Sequence, residues 1–532
     1  MIWSILKTLA WLIGTAITAF IVKQVICYLK LNRYKSQGIR CFFFPVLGIR
    51  KLMPRGAASK PIRADIEKMM NGAQIVAGNS LVKTEPHIVI TGTKLLREFL
   101  AIENDYFKRT SISGEIHPNK SLLYENGALG IRYRSIYTGF FKADNIKKII
   151  PRIEQVFEES FKKNVALKFF KDKVELDSAG NLRLKSGVKP EDLQWKKIDF
   201  KPYLKDPFDK MINVVLFGSK SEEDSPNFEK GKNFSDAVKA FIFLRLTAFF
   251  SLPNLLSGGL INDWKISPIS RKVEAERKKL FKVMKEFFDK RKDSGNYNGV
   301  NLLDLTIRHN QKCLKEGGAK SKDFLDDDRI VDFMRTFYFA GYDTSKSNTQ
   351  ACLLNLCKYA QMREKFIRDV EMLNRQSPEE RDYDSADYIS KFVKENLRLF
   401  GPVPESFPRH CVKPCKIGNY KIHKGTLVSI RMDMLQTDPS IHERPFELDP
   451  ERFADKKAVD KMTRNLGNIP FFTGRRSCVG QILGEVVIKI VLRTILTCFE
   501  IRPDPENQLE IKAPTFEPKQ INMELRPRIS YA

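Results

Sequence analysis

The stretch Phe471-Phe-Thr-Gly474-Arg-Arg476-Ser-Cys478-Val-Gly480 sets a cysteine in a short loop that opens directly into an apolar helix, predicted over 481–499. Backbone N–H groups at a helix N-terminus and a nearby arginine both favour the thiolate form of a cysteine. A thiolate is a metal ligand, and the two flanking glycines let the backbone approach a large planar cofactor closely. The loop therefore predicts a cofactor site with Cys478 as the metal ligand. The alternative is a buried structural cysteine ahead of a helix.

A second pattern, Ala340-Gly341-Tyr-Asp343-Thr344-Ser, lies inside a helix that is predicted over 328–359. Three aspartates at 326–328 complement the helix dipole at its start. A glycine in mid-helix costs roughly 1 kcal/mol relative to alanine. Taken alone, an aspartate followed by a threonine in a helix is commonplace, and the pattern gains meaning from the cysteine loop that follows it.

Length and composition indicate a large, ordered globular protein. At 532 residues, with 42% hydrophobic and 11% aromatic residues, the chain can bury a large core. The net charge of +27 raises nucleic acid as a partner. However, the basic residues are spread through the whole sequence, without an aromatic-interleaved basic motif or zinc-finger spacing. We therefore expect no nucleic-acid partner. We attribute the charge to an anionic membrane surface and an acidic protein partner, or to a solvated surface without specific meaning.

The nine cysteines do not suggest a disulfide scaffold, because their number is odd and their spacing is not dense. Cys411 and Cys415 stand four apart, but no second pair completes a zinc site. We expect most of the nine to be packing residues in a reducing compartment, with Cys478 as the one whose setting calls for a metal.

Residues 1–29 are mostly apolar, with fifteen uncharged residues between Lys7 and Lys23. A membrane span needs about 20 residues, so one of the two lysines must reach back to an interface. Basic residues follow, on the side that the positive-inside tendency places in the cytosol, and no clean cleavage site precedes Lys23. We expect a retained single-pass anchor in the endoplasmic reticulum membrane with the catalytic domain in the cytosol, rather than a cleaved signal peptide.

Residues 30–50 form a short linker, and residues 51–532 are predicted to form one large, mainly helical domain with small β-sheets. Helical patterns lie at 147–162, 273–292, 328–359, 388–399 and 481–499, and strand-like runs at 77–83, 87–91, 416–422 and 427–431. The lysine-rich segment 163–205 is poorly patterned and is predicted to be an exposed insertion. The apolar cluster 240–261 is predicted to be either a core helix with a loop or a region that dips into the membrane.

Read as Phe-x-x-Gly-x-Arg-x-Cys-x-Gly, the loop at 471–480 resembles the haem-binding loop of the cytochromes P450. The segment 340–345 resembles the oxygen-binding helix of the same family, in which a threonine hydroxyl is turned away from the local helical bonding. The resemblance extends over essentially the whole chain and implies the cytochrome P450 fold with a buried haem b. It assigns Cys478 as the thiolate ligand to iron, and its other cofactor contacts are Phe471, Gly474, Arg476, Gly480, Ala340 and Gly341.

Three further matches support the resemblance. Glu395 and Arg398 stand at i and i+3 on one helical face, where they can pair. By resemblance, Arg452 completes with them a structural network that supports the haem loop. Arg409 and Arg134 match family arginines that contact the haem propionates, with Arg476 as a third candidate, and arginine suits carboxylates because its planar fork bonds both oxygens.

Two departures from the family pattern stand out. Gly130 occupies the position of a family tryptophan upstream of Arg134, so Arg132 or Tyr133 could share the propionate contact. Phe472 stands where the family usually has glycine or serine, and we expect a bulkier bend there.

The resemblance implies a monooxygenase that inserts one atom of O2 into an apolar organic substrate: a lipid, fatty acid, sterol or xenobiotic. Asp343 and Thr344 would deliver protons on the distal side of the haem. Electrons would come from NADPH through an acidic NADPH–cytochrome P450 reductase, with cytochrome b5 as a second electron donor to consider. Two rivals are a haem-thiolate isomerase or dehydratase that acts on hydroperoxides without a reductase, and a non-catalytic haem sensor or carrier. The acid–threonine pair favours the monooxygenase.

Overall fold

The computed structural model describes residues 2–44, 72–80, 84–109, 122–218, 267–318, 321–504 and 520–529, with short pieces between 227 and 244 and between 511 and 518. In this part of the chain, the helices of eight residues or more are α1 (Ile2–Lys35), α2 (Thr93–Tyr106), α3 (Gly127–Thr138), α4 (Ala143–Phe161), α5 (Lys205–Phe217), α6 (Pro268–Asp293), α7 (Leu302–Gly317), α8 (Asp327–Lys358), α9 (Ala360–Asn374), α10 (Asp387–Phe400), α11 (Lys456–Arg464) and α12 (Gln481–Cys498).

The described strands of three residues or more are short and follow the same chain order. They are β1 (Arg40–Phe42), β2 (Ile75–Gly78), β3 (His87–Ile90), β4 (Phe107–Arg109), β5 (Val174–Leu176), β6 (Leu182–Leu184), β7 (Lys196–Asp199), β8 (Arg409–Cys411), β9 (Cys415–Ile417), β10 (Tyr420–Ile422), β11 (Leu427–Ile430), β12 (Phe499–Pro503) and β13 (Asn522–Pro527). The prediction of a mainly helical fold with small sheets is therefore confirmed.

The helical core is built around α12 and α8. In α12, 13 of 18 residues are buried, as expected for a helix that is apolar on nearly all sides. It packs against α4 and α8, and α8 in turn packs against α5 and α10. At 32 residues, α8 is roughly 48 Å long, given a rise of 1.5 Å per residue, and so spans the whole core.

A mixed sheet with the strand order β1-β2-β3-β11-β8-β4 forms the second core. Strand β3 runs parallel to β11, while β8 is antiparallel to both β11 and β4. Leu96 and Phe99 of α2 pack against the buried residues of this sheet. Strand β8 thereby brings the residues after α10 beside β4, which lies about 300 positions earlier in the chain.

The predicted exposed insertion at 163–205 is wrong. The segment continues α4 through a π-helical turn, forms the β5–β6 hairpin and ends in β7, which pairs with the C-terminal strand β13. Phe170, Phe200 and Leu204 are buried in the main core. The lysines occupy the solvent side of these elements, and the pairing of β7 with a strand 320 positions later leaves no periodic pattern in the segment itself.

The N-terminal helix forms, but it reaches Lys35 and so includes six residues of the predicted linker. Its second half is docked on the domain: Cys27, Leu31 and Tyr34 are buried at helical spacing, and the hydroxyls of Tyr34 and Thr426 lie 2.6 Å apart. Within the residues that the structure describes, no helix is long and apolar enough to cross a membrane. The cluster 240–261 lies almost entirely outside the described residues.

His442 lies buried in the meandering segment between β11 and the cysteine loop. Its Nε2 is 2.8 Å from the carbonyl oxygen of Gly467, and its Nδ1 has no hydrogen-bond partner among the described residues. Burial, together with the positive charge of Arg398, lowers the pKa of His442 to about 4. The neutral imidazole is therefore the form that the fold accepts.

This histidine should make the stability of the protein depend on pH. Between about pH 6.5 and pH 4 the unfolded chain binds a proton at His442 that the folded protein does not. The free energy of unfolding therefore decreases as the pH is lowered through this range. The whole loss is on the order of 3 kcal/mol. His442→Gln, which keeps a donor for Gly467, should flatten the urea-midpoint profile over this window and leave it unchanged at pH 8. Parallel profiles for the two proteins would contradict the assignment.

Candidate functional site

The cysteine loop between α11 and α12 is held closed by its own backbone. The Cys478 N–H donates to the Phe471 carbonyl at 2.9 Å, and a 3₁₀ turn covers Gly474–Arg476 between these two residues. Gly474 has a φ of +73°, a left-handed conformation that glycine adopts without a steric cost. The chain therefore folds back on itself and places Cys478 just before the first turn of α12.

Cys478 combines an accessible sulfur with a crowded protein environment. All nine cysteines lie in the described part of the chain, and Cys478 is the only exposed one. Burial within the surrounding protein raises the pKa of its thiol, and the Gly480 N–H and the charges of Arg134 and Arg109 lower that pKa by less. The N–H group and the arginines thus favour the thiolate as expected, but burial outweighs them and the net shift is upward. A bound metal ion would add a further positive partner for the sulfur.

Phe471 and Gly480 shape the protein around this sulfur. The ring of Phe471 lies 3.6 Å from the position that a Cβ on Gly484 would take, so it packs on the first turn of α12. A Cβ on Gly480 would lie 4.0 Å from the Cys478 sulfur and 3.9 Å from the ring of Phe141. Glycine at 480 thus keeps the space beside the sulfur free of a side chain.

Four arginines from four separate segments meet near the cysteine loop. Arg109 of β4 and Arg409 of β8 are direct cross-strand neighbours. Arg109 donates to the Arg476 carbonyl at 3.1 Å, and Arg134 of α3 donates to the Ser477 carbonyl. Burial lowers the pKa of Arg109 well below its usual range, and the charges of Arg409 and Arg476 add to this effect. Like charges at such separations are unfavourable unless anions lie close by.

The arginine cluster, Arg109, Arg134, Arg409 and Arg476, has fewer acceptors than donors. Arg409 pairs with Glu103, with 2.7 Å between Nε and Oε1. Arg109 Nε, Arg409 Nη2 and Arg476 Nη1 are buried and have no hydrogen-bond partner among the described residues. A ligand with two carboxylates beside the Cys478 sulfur would satisfy these donors.

Sequence reasoning missed Arg109. It comes at the end of a three-residue strand, and its pairing with β8, 300 residues later, leaves no local signal. The other three members of the cluster were predicted, and the structure brings them together at the loop.

Helix α3 shows why a glycine stands at 130. A Cβ on Gly130 would lie 2.5 Å from the carbonyl oxygen of Glu125, closer than real side chains come, so the family tryptophan has no room there. Of the two alternative contacts, Arg132 forms an ion pair with Asp323 at 3.2 Å and Tyr133 packs on Phe333. Arg134 is the residue of this helix that contacts the cysteine loop.

The middle of α8 lies across from the loop. The ring of Phe141, which touches the space beside Gly480, is 5.7 Å from the ring of Phe337, one turn before Ala340. Phe339 and Ala340 are exposed, whereas most positions of α8 are buried. Phe339 and Ala340 therefore form an exposed apolar surface in the middle of α8, next to Phe337.

The predicted proton-delivery residues lie beside this exposed stretch. The Thr344 hydroxyl donates to the Ala340 carbonyl at 2.6 Å, so the expectation that it turns away from the helical bonding is wrong. Asp343 forms an ion pair with Lys346 at 3.8 Å. Gly341 faces the other way: a Cβ there would meet the Ile212 side chain of α5 at 2.9 Å, which indicates a helix-packing position.

The site lies within the region that a sequence model of a known family matches. The model described as cytochrome P450 matches residues 79–525. The chain belongs to the cytochrome P450 family. The family prediction from the two motifs is therefore confirmed.

Curated cytochromes P450 of plants are similar over part of the chain. Cytochrome P450 76A1 of Solanum melongena is 30% identical over 325 residues, 59% of this chain and 64% of the relative. Cytochrome P450 76A2 of the same species is 27% identical over 57% of this chain and 64% of the relative. Cytochrome P450 82A1 of Pisum sativum is 36% identical over 174 residues, 31% of each protein. The chain thus spans less than two thirds of the length of these relatives.

The haem-thiolate cofactor of the cytochromes P450 fits the residues of this site. The exposed Cys478 would bind the haem iron through its sulfur. The nitrogens of Arg109, Arg409 and Arg476 that have no partner among the described residues would bind the two haem carboxylates. Glycines at 474 and 480 leave the close approach free. The fit rests on this donor set rather than on the motif alone.

The Glu395–Arg398 pair that cytochromes P450 carry is fully buried here. Arg398 bonds both carboxylate oxygens of Glu395 at 2.7 Å, and Arg452 lies 3.5 Å from the same carboxylate. Arg398 also donates to the carbonyls of Gln436 and Pro445. These bonds hold α10 against the segment that precedes the cysteine loop in the chain. The network thereby fixes the position of that segment.

Gly130 provides a test of the α3 geometry. Gly130→Ala should lower the free energy of unfolding by about 1–3 kcal/mol, because its Cβ collides with a backbone oxygen that cannot move without shifting α3. Gly139→Ala at the end of the same helix is the matched control. Its Cβ meets nothing closer than 3.8 Å, so it should be neutral or slightly stabilising. Chemical denaturation measures both, and equal effects would contradict the geometry.

Proposed function

We propose that this chain is a haem-thiolate monooxygenase that inserts one oxygen atom of O2 into an apolar organic substrate, with haem b bound by the Cys478 thiolate. The observation that carries the proposal is the pairing of two features. An exposed cysteine lies beside buried arginine nitrogens that have no acceptor within the described part of the chain, and an acid–threonine pair lies on the helix across from it. Belonging to the cytochrome P450 family supports the same reaction class.

The residues on the Cys478 side hold and orient the cofactor. Haem b supplies the activation of O2 and the oxygen transfer when bound, and electron donation from a thiolate ligand favours cleavage of the O–O bond. Arg109, Arg134, Arg409 and Arg476 hold the two carboxylates and fix the rotation of the ring. Phe471 accepts the Cys478 N–H at its carbonyl and packs its ring on the first turn of α12, so it helps to fix the backbone that presents the sulfur.

The residues of α8 move protons. The Thr344 hydroxyl donates its hydrogen to the Ala340 carbonyl, so the lone pairs of its oxygen stay available to accept a hydrogen bond from water. Asp343, half-buried and held by Lys346, connects the solvent side of the helix with this hydroxyl by way of water. Phe339 and Ala340 present an apolar surface beside it, which suits a lipid, fatty acid, sterol or xenobiotic substrate.

Two electrons have to arrive from a partner. Lys142, Lys147 and Arg475 are exposed around the cysteine loop and add to a net charge of +27. This charge supports docking of an acidic NADPH–cytochrome P450 reductase near Cys478, with cytochrome b5 as a second donor. On α1, exposed apolar side chains such as Trp11 and Ile21 support contact with a lipid surface, which fits a place on the cytosolic side of the endoplasmic reticulum.

The second candidate is a haem-thiolate isomerase or dehydratase that rearranges hydroperoxides. It would use the same cysteine and arginines but has no need for proton delivery to O2. The ordered Thr344 and Asp343 favour the monooxygenase, and a product that forms from a hydroperoxide without NADPH would favour the isomerase.

The ligand assignment is tested by the carbon monoxide difference spectrum of the reduced protein. The wild type should give a strongly red-shifted Soret band, because the axial ligand is a thiolate. Cys478→Ser should lose this band. Cys415→Ser, at a half-buried thiol in β9, is the control and should keep it. An unshifted band in a folded wild type would overturn the assignment.

Proton delivery is tested by Thr344→Ala in a system reconstituted with reductase, NADPH and a substrate found by its effect on the haem spectrum. Product formed per NADPH should fall by about tenfold or more, with peroxide released in its place, because positioned proton donors contribute 10²-fold or more. Thr336→Ala removes an equivalent hydroxyl–carbonyl bond of 2.7 Å two turns earlier and should stay coupled. Equal coupling in all three proteins would count against the monooxygenase.

A further inference from the structure

Phe472, in the bend of the cysteine loop, has a backbone conformation that its residue type disfavours. Its φ is +60°, in the left-handed region where the Cβ of any residue other than glycine is crowded. The other described non-glycine residues with positive φ are Leu466 and Arg444. Strained residues of this kind persist only where the surrounding structure holds them, and they gather at functional sites. The Phe472 side chain therefore calls for an explanation that glycine would not satisfy.

The ring of Phe472 contacts one member of the arginine cluster. The guanidinium carbon of Arg409 lies 4.7 Å from the centre of this ring. It lies 5.9 Å from the centre of the Phe99 ring, which belongs to α2. Arg409 is fully buried. A buried guanidinium over an aromatic face gains more than an exposed one, because water no longer competes for the charge.

Hydrogen bonds fix Arg409 along two edges. Its Nε donates to Glu103 at 2.7 Å and its Nη1 donates to the Phe407 carbonyl. Both bonds lie in the plane of the guanidinium and restrict its position within that plane, but they restrict tilting of the plane much less. The aromatic face of Phe472 restricts the tilt. What remains is Nη2, which is buried and without an acceptor among the described residues.

We propose that Phe472 is a positioning residue, which holds the Arg409 guanidinium in the plane from which its Nη2 donates to a carboxylate of the cofactor. The proposal rests on the proposed function, since the carboxylate is that of haem b. Glycine at position 472 would relieve the backbone but would leave the guanidinium plane unsupported. In this chain the ring of Phe472 thus supports the Arg409 guanidinium, which a glycine or serine at this position of the loop could not do.

The test measures how fast the holoenzyme releases haem to an excess of apomyoglobin. Phe472→Gly should release haem about tenfold faster than the wild type, since a desolvated contact of this kind corresponds to about one order of magnitude. Phe472→Trp keeps an aromatic face and should release at close to the wild-type rate. Leu466→Gly is the matched control. Leu466 has the same φ of +60° and packs on the same core, but it has no aromatic ring to place against an arginine, and this variant should leave the rate unchanged.

A double-mutant cycle separates positioning from packing. In an Arg409→Ala background, which itself releases haem faster, Phe472→Gly should add no further change. With haem dimethyl ester, which has no carboxylates, Phe472→Gly and the wild type should release at equal rates. Chemical denaturation of each variant shows whether the fold is retained, and Phe472→Trp keeps the test valid if the glycine variant unfolds.

The outcomes are distinguishable. Wild-type release from Phe472→Gly, together with faster release from Arg409→Ala, overturns the positioning role and leaves the proposed function in place. An additive effect in the cycle, or equal acceleration by Leu466→Gly, also overturns it, because the effect is then one of packing or strain. If neither Arg409→Ala nor the dimethyl ester alters release, the carboxylate contact itself fails, and that part of the proposed function fails with it.

Discussion

Four arginines with one carboxylate partner, Glu103, in the described part of the chain constrain the centre of this molecule; Arg409 and Arg476 are buried, and Arg109 and Arg134 are half-buried. Each comes from a different segment: β4, α3, β8 and the cysteine loop. Burial lowers the pKa of Arg109 and Arg476, and the charges of the neighbouring arginines lower it further. Unpaired buried charge costs several kcal/mol per ion, so this arrangement is unfavourable in isolation. A ligand with two carboxylates would make the arrangement favourable. It would supply acceptors to the arginine nitrogens that have none among the described residues. Cofactor binding and stability are therefore coupled at this point, and the bound form should be much the more stable.

The rest of the fold holds the segments that carry these charges. The mixed sheet sets Arg109 opposite Arg409, and α2 supplies Glu103, whose carboxylate pairs with Arg409. The buried Glu395–Arg398 pair ties α10 to the chain that leads into the cysteine loop. Helix α12 is apolar on nearly all sides and anchors the loop from the other end. Removing one partner of such a buried pair leaves an uncompensated charge, so these residues support the site by holding its backbone in place.

Local signals in the sequence predicted the helices well, because an apolar stripe at helical spacing is visible within one segment. The predicted helix 328–359 differs from α8 by one residue at each end. Features that depend on distant pairing were not predictable. Arg109 joins the site through a strand 300 residues away, and the segment 163–205 is ordered by its pairing with the C-terminal strand. The effect of burial on the pKa of Cys478 was not predictable either, because it comes from the folded chain around the loop and outweighs the local N–H group and arginines.

The two departures from the family pattern both lie at the arginine cluster. One replaces a large side chain by glycine, and the other replaces a small residue by phenylalanine. At position 130 an aromatic residue is lost, and the Glu125 carbonyl occupies the space where its Cβ would stand. Arg134, one turn later, is held by the Ser477 carbonyl of the cysteine loop instead. At position 472 an aromatic residue is gained, in a backbone conformation that resists it, and its ring lies on Arg409. In this chain an aromatic ring supports the arginine on β8, and a backbone carbonyl holds the arginine on α3. What the cluster requires is that each guanidinium be fixed in direction, and a backbone carbonyl serves one of them as the ring serves the other.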